Sequence, residues 1–153
     1  MKYTCTLLAV RDIHVSRKFY EDLFGLTLES DYGINVAFTC GLALQQRFGW
    51  LTGLPEEAVQ QRTHNMELCF EEADFDGFLP RLRSSGAELL GDVVEHGWGQ
   101  RVVRFYDPDG HLIEVGEEMK TVVGRFLDSG LTMAETAVRM DVTVADLETI
   151  LKG

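Results

Sequence analysis

Two glutamates interrupt otherwise apolar, strand-like stretches: Glu67 in Met66-Glu67-Leu68-Cys69-Phe70, and Glu114 in Leu112-Ile113-Glu114-Val115. A carboxylate set among apolar neighbours needs a partner, because an unpaired charge is costly to bury. Two carboxylates facing one cavity also repel each other. A divalent cation can bind both, or one can keep its proton and act as acid or base beside a substrate carbonyl. The bland alternative is an arginine that neutralises them. If the strands Arg101 to Tyr106 and His111 to Glu117 pair symmetrically about their turn, Arg101, Val103 and Phe105 share a face with Leu112, Glu114 and Gly116, making Arg101 a candidate for that ion pair with Glu114, whose expected place is the cavity.

The elements that would position these groups occur twice. Tyr3 to Val10 has the composition of a strand; Asp12 is a fair N-cap, and Val15, Phe19, Tyr20 and Leu23 recur at helical spacing up to Gly25. Leu26 to Ser30, Ile34 to Cys40 and Leu42 to Arg47 follow as three short strands. The order then repeats: strand Asn65 to Glu71, a helix capped by Asp74 or Asp76 and carrying Phe75, Phe78, Leu79 and Leu82 up to Gly86, then strands Ala87 to Leu90, Arg101 to Tyr106 and His111 to Glu117. The last two are joined by the turn Asp107-Pro108-Asp109-Gly110. Residues 50 to 63 link the halves, with a short helix expected at Pro55-Glu56-Glu57.

This pattern predicts an α+β fold of two tandem βαβββ modules, residues 1–49 and 64–118, forming a curved mixed sheet around a cavity. Aligning the halves on Asp12 and Asp74, and on Gly41 and Gly110, gives four equivalent positions: Cys5, Gln45, Glu67 and Glu114.

The run Arg104-Phe105-Tyr106-Asp107-Pro108-Asp109-Gly110-His111-Leu112-Ile113-Glu114-Val115 resembles the terminal hairpin of the vicinal-oxygen-chelate superfamily, which includes glyoxalases, bleomycin-resistance proteins and extradiol dioxygenases. Asp12 followed by Phe19-Tyr20-Glu21-Asp22-Leu23-Phe24-Gly25 is similar to its first helix, and Trp98-Gly99-Gln100-Arg101 to a run found in a subgroup. The resemblance spans residues 3 to 118. It implies metal ligands at the four equivalent positions, holding one divalent ion (zinc, nickel, manganese or iron) that chelates neighbouring substrate oxygens. Glu114 matches the expected C-terminal glutamate, Glu67 stands where many members have histidine, and Gln45 where glyoxalases have glutamate. Cys5 stands where histidine or glutamine is usual. With no histidine at any of the four, the dioxygenase ligand set is missing, and a member without metal is the alternative.

Cys5, Gln45, Trp98 and Arg101 are candidates for substrate contact, although Cys5 also suits a small core position and Trp98 an ordinary core or interface one. His14, His64, His96 and His111 match no ligand spacing and are expected at the surface or in support, with His64 nearest the cavity mouth. A net charge of −11 argues against nucleic acid and anionic membranes as partners, and no apolar run has the length of a membrane span. Three cysteines without zinc-type spacing suit reduced thiols in the cytoplasm.

Residues 119–153 are expected to form helices beyond the repeated domain, with capping boxes at Thr132/Glu135 and Thr143/Asp146. Ala137, Met140, Val142, Leu147 and Ile150 have the core spacing of a helix-turn-helix, but Asp146 and Glu148 on the would-be recognition helix contradict DNA binding. Two functions remain: a glyoxalase-type metal-assisted lyase or isomerase with Glu67 and Glu114 as ligands or as acid and base, and a metal-free small-molecule-binding protein of the bleomycin-resistance kind. A regulatory role resting on the helical tail is a third, and a homodimer is expected from the resemblance.

Overall fold

The computed structural model describes residues 1–153. The first module runs β1 (Thr6–Val10), α1 (Ile13–Phe24), β2 (Leu28–Asp31), β3 (Asn35–Phe38), β4 (Leu42–Gln46). A linker with α2 (Phe48–Thr52) and a 3-10 turn (Glu56–Ala58) leads to β5 (Leu68–Glu72), α3 (Phe75–Ser85), β6 (Val94–Glu95), β7 (Arg101–Tyr106) and β8 (Leu112–Glu117). Three further helices follow: α4 (Met119–Asp128), α5 (Met133–Met140) and α6 (Val144–Lys152). The strands form two four-stranded mixed sheets, ordered β1-β4-β3-β2 and β5-β8-β7-β6. The fold is α+β, a repeated βαβββ unit with a helical extension. No helix is long and apolar enough to cross a membrane.

Local chemistry explains the boundaries. Asp12 accepts the His14 and Val15 N–H groups at the start of α1, and Gly25 ends it at φ 65°. Asp74 and Gly86 do the same for α3. Ala87 to Leu90, expected as a strand, contributes only the bridge Leu89–Phe105; the paired edge is the two residues of β6. Gly91 and Asp92, poor strand formers, separate the two pieces. The helix α2 had no counterpart in the sequence pattern.

The hairpin register differs from the symmetric expectation by one residue. Asp107 N–H bonds the His111 carbonyl, so five residues connect the strands and Tyr106 stands opposite Leu112. A one-residue shift moves every side chain to the other face. Arg104, not Arg101, is therefore opposite Glu114.

Each sheet turns one face to its helix, and both of these faces belong to one core containing Leu8, Tyr20, Phe38, Phe75, Phe78, Val103, Phe105 and Ile113. Phe24 of α1 reaches into the second module, against Phe70, Phe78 and Phe105. Because the helix-bearing faces share this core, the opposite faces do not close on each other within the chain.

A buried polar lock joins the modules. Asp107 accepts the Tyr20 hydroxyl (2.8 Å), the His111 ring Nδ1–H (2.8 Å) and the backbone N–H groups of Asp109 and His111. Asp109 accepts the Ser16 hydroxyl (2.6 Å) and the backbone and Nε–H of Arg11. Burial pushes the Asp107 carboxyl upward, but the hydrogen bond and charge of His111 outweigh it and hold the carboxyl below its usual range. Burial, then the Asp107 charge, pushes the Tyr20 hydroxyl well above its ordinary value.

The extension has its own core of Val122, Val123, Ala137, Met140 and Leu147. Its buried tie to the second sheet is Glu117, 1% exposed, which accepts from Arg101 (2.8 Å) and from Arg125 of α4 (3.0 Å), while Arg139 of α5 pairs with Glu95 at the surface. Gly99 is packed under Phe126: a Cβ there would lie 2.3 Å from the ring, so only glycine fits.

Candidate functional site

Strand alternation assembles one cluster on the helix-free face of the second sheet. Cys69 pairs with Glu114 across β5 and β8, and Glu114 with Arg104 across β8 and β7, so these three form a row. Glu67 precedes Cys69 by two residues and shares its face. Donor atoms of Glu67, Cys69 and Glu114 all lie within 4.8 Å of one another. Arg104 bridges both carboxylates: its Nε–H donates to Glu67 Oε2 at 3.1 Å, and Nη2 forms an ion pair with Glu114 Oε2. The Glu114 contact lacks hydrogen-bond alignment, leaving that buried oxygen without an aligned donor. Glu114 is the less exposed carboxylate, 16% against 32% for Glu67.

The Cys69 thiol is pushed up from its ordinary value, first by burial and then by the charges of Glu67 and Glu114, with Arg104 opposing. It is therefore a protonated thiol at neutral pH, not a ready nucleophile. A cation in the cluster would reverse this, since coordination strips a thiol of its proton.

The other candidates lie elsewhere. Gln45 is buried, accepting from Asn35 Nδ2 (2.9 Å) and donating to the Gln46 carbonyl (2.6 Å). Its neighbour on β1 is Ala9, while the exposed Cys5 precedes the ladder. The β1–β4 register thus differs by two residues from that of β5–β8, where the symmetry-related Glu114 pairs with Cys69. Arg101 faces Glu117 and Asp76, and its guanidinium covers Phe75. Trp98 stacks on His96 with ring centroids 4.3 Å apart and donates to Gln100 Oε1. A polar cleft of about 410 Å³ opens between the strand ends and the linker, lined by Arg11, Gln46, Arg47, Gln60 and His111, but it does not include the carboxylate pair.

Sequence reasoning missed Arg104 and Cys69 as site residues. Cys69 was accessible through its two-residue spacing from Glu67, and Arg104 through a five-residue hairpin connection. Tyr106, two residues beyond Arg104, is held by His64 Nε2 at 2.6 Å, with the Arg62 guanidinium over its ring. Arg62 and His64 both adopt left-handed backbone conformations, φ 53° and 52°, uncommon for side chains of this size.

Two carboxylates and a thiol at this spacing suit a divalent ion of the zinc or manganese type, and the positive charge now set against Glu114 Oε2 is that of Arg104. The residues present fit a metal, with Arg104 as its competitor.

Comparison with known proteins gives a consistent family. The Glyoxalase-like domain matches residues 3–120. The chain is 30% identical over 114 residues to "Glutathione transferase FosA" of Serratia marcescens, covering 71% of this chain and 74% of that protein. A crystal structure of a protein of unknown function from Agrobacterium tumefaciens is 39% identical with a TM-score of 0.66, covering 76% of this chain and 94% of that one. A lactoylglutathione lyase from Agrobacterium tumefaciens is 27% identical with a TM-score of 0.56, covering 74% and 91%.

Proposed function

The chain belongs to the Glyoxalase-like domain family, within the vicinal-oxygen-chelate superfamily, and from that membership we propose that it is a divalent-metal-assisted lyase or isomerase acting on a small oxygenated molecule. The observation that carries this reading is the convergence of Glu67, Cys69 and Glu114 on one patch of the second sheet. An ion held there would polarise a substrate oxygen and acidify the neighbouring C–H. Glu114, the better covered carboxylate, is the anchoring ligand. Glu67 stands nearer solvent and is the group to exchange a proton with substrate.

The second reading is a metal-free small-molecule-binding protein, favoured by Arg104, which already neutralises both carboxylates. Both readings need a lid over the open face. We assign that role to a second copy of the chain, whose first sheet would bring its Cys5 and Gln45 face toward the cluster. The exposed Tyr3, Trp50, Leu51, Leu54 and Met66 support such an interface. The three unpaired cysteines suit a reducing, cytoplasmic setting.

Differential alkylation separates the readings. Cys5, Cys40 and Cys69 are all exposed, and Cys40, which has no place in the cluster or on the face proposed to cover it, serves as the internal control. Added zinc is expected to slow alkylation of Cys69 relative to Cys40, on the order of tenfold or more, because a coordinated thiolate is withheld from the reagent. Equal rates with and without zinc, nickel, manganese or iron(II) would favour the metal-free reading.

A further inference from the structure

We propose that Arg104 is the resident cation of the Glu67–Cys69–Glu114 cluster, and that a divalent ion enters the site by displacing its guanidinium. The inference rests on the metal reading above and specifies how this chain controls access to the metal position.

One guanidinium touches both carboxylates, through Nε–H to Glu67 and Nη2 to Glu114. The donor atoms of the cluster lie within 4.8 Å of each other, so an ion bound to all three would sit at contact distance from that guanidinium. Repulsion between a doubly and a singly charged cation at such range far exceeds thermal energy, even with protein screening. The two occupants therefore exclude each other.

Arg104 is also built to leave. Both of its ion pairs are to this cluster, whereas Arg101 and Arg125 are committed to Glu117, Arg62 to Glu88 and Arg81 to Glu72. Its side chain is 28% exposed, which gives the released head a path to water along a flexible stem. Metal affinity is then an exchange quantity: binding to the carboxylates less the cost of evicting Arg104. Without metal, Arg104 keeps two neighbouring carboxylates from repelling.

Zinc titration calorimetry on the wild-type chain, Arg104→Gln and Arg104→Lys tests this, together with nitrogen-15 NMR of the wild-type arginine Nε–H groups. Arg104→Gln is expected to bind zinc roughly 10- to 100-fold more tightly, the equivalent of one lost charge-assisted interaction. Arg104→Lys, one ammonium in place of the bridging fork, falls between. In the wild-type protein, which needs no variant to fold, saturating zinc moves the Arg104 Nε–H signal to that of a solvated guanidinium and leaves Arg101 and Arg125 in place. Zinc binding by the wild type with an unmoved Arg104 signal, or with equal or weaker binding by Arg104→Gln, would overturn the exchange and leave the metal reading standing. Zinc binding by none of the three would overturn both.

Discussion

Asp107→Ala is expected to lower stability by about 3–5 kcal/mol, the cost of breaking a buried, charge-assisted network. The carboxylate is buried and accepts from Tyr20, from the His111 ring and from two backbone N–H groups, so the truncation strips the buried Tyr20 hydroxyl and the turn of their shared acceptor. For a chain of this size the melting temperature should fall by roughly 8–15 °C, measured by calorimetry at pH 7. Tyr20→Phe removes one partner and should cost only about 1 kcal/mol, because Asp107 keeps its other donors. The double variant should be less destabilised than the two single effects summed, since both disrupt one network. A loss under about 1 kcal/mol in Asp107→Ala would show that the modules are held by the aromatic core alone.

Glu117→Ala comes second, at about 2–4 kcal/mol, reduced from the fully buried case because Arg101 and Arg125 are each about a third exposed. Its effect is localised: Glu117 connects the second sheet to α4, so hydrogen exchange in residues 119–153 should rise before exchange in the two sheets. The same residue shapes the acid limb. Burial pushes the Glu117 carboxyl up, but the hydrogen bonds from Arg101 and Arg125 outweigh this and leave it below its ordinary value of 4.5. A group depressed on folding contributes stability above its unfolded pKa and loses it as pH falls through the folded value. The contribution is thus complete above about pH 4.5 and disappears in more acid solution. Glu117→Gln should flatten the stability profile below that pH and leave its shape unchanged between pH 6 and 8. A wild-type profile already flat below pH 4.5 would contradict the assignment.

Much of the fold was legible because its signals are local. Asp12 with Gly25, and Asp74 with Gly86, bound the two helices as expected, and the recurrence of strands around them identified the repeat. The family resemblance rested on the Asp107–Gly110 turn and its flanking strands, and the comparisons agree with it. Less local properties were harder to read. Hairpin register depends on whether His111 belongs to the strand or to the connection, a difference of one hydrogen bond. That single residue exchanged Arg101 for Arg104 as the partner of Glu114. The polar lock was hidden for the same reason: Asp107 and Asp109 look like turn residues until α1 is packed against them.

The four positions aligned by internal repeat illustrate a second limit. Glu67 and Glu114 meet because β5 and β8 are adjacent in one sheet, with Cys69 between them. Cys5 and Gln45 belong to the other sheet, where the parallel register places Ala9 beside Gln45. Periodicity within a strand reports which face a residue takes. It does not report which faces of two modules meet, and that is decided here by a shared core and, on our proposal, by a second copy of the chain.

The most direct test of the metal-enzyme account is elemental analysis of untagged protein purified without chelator, beside Glu114→Ala. The account predicts about one divalent ion per chain in the wild type, lost in the variant while its fold is retained by circular dichroism. Protein free of metal, and not stabilised against heat by added manganese, nickel, zinc or iron(II), would contradict it and leave the small-molecule-binding reading.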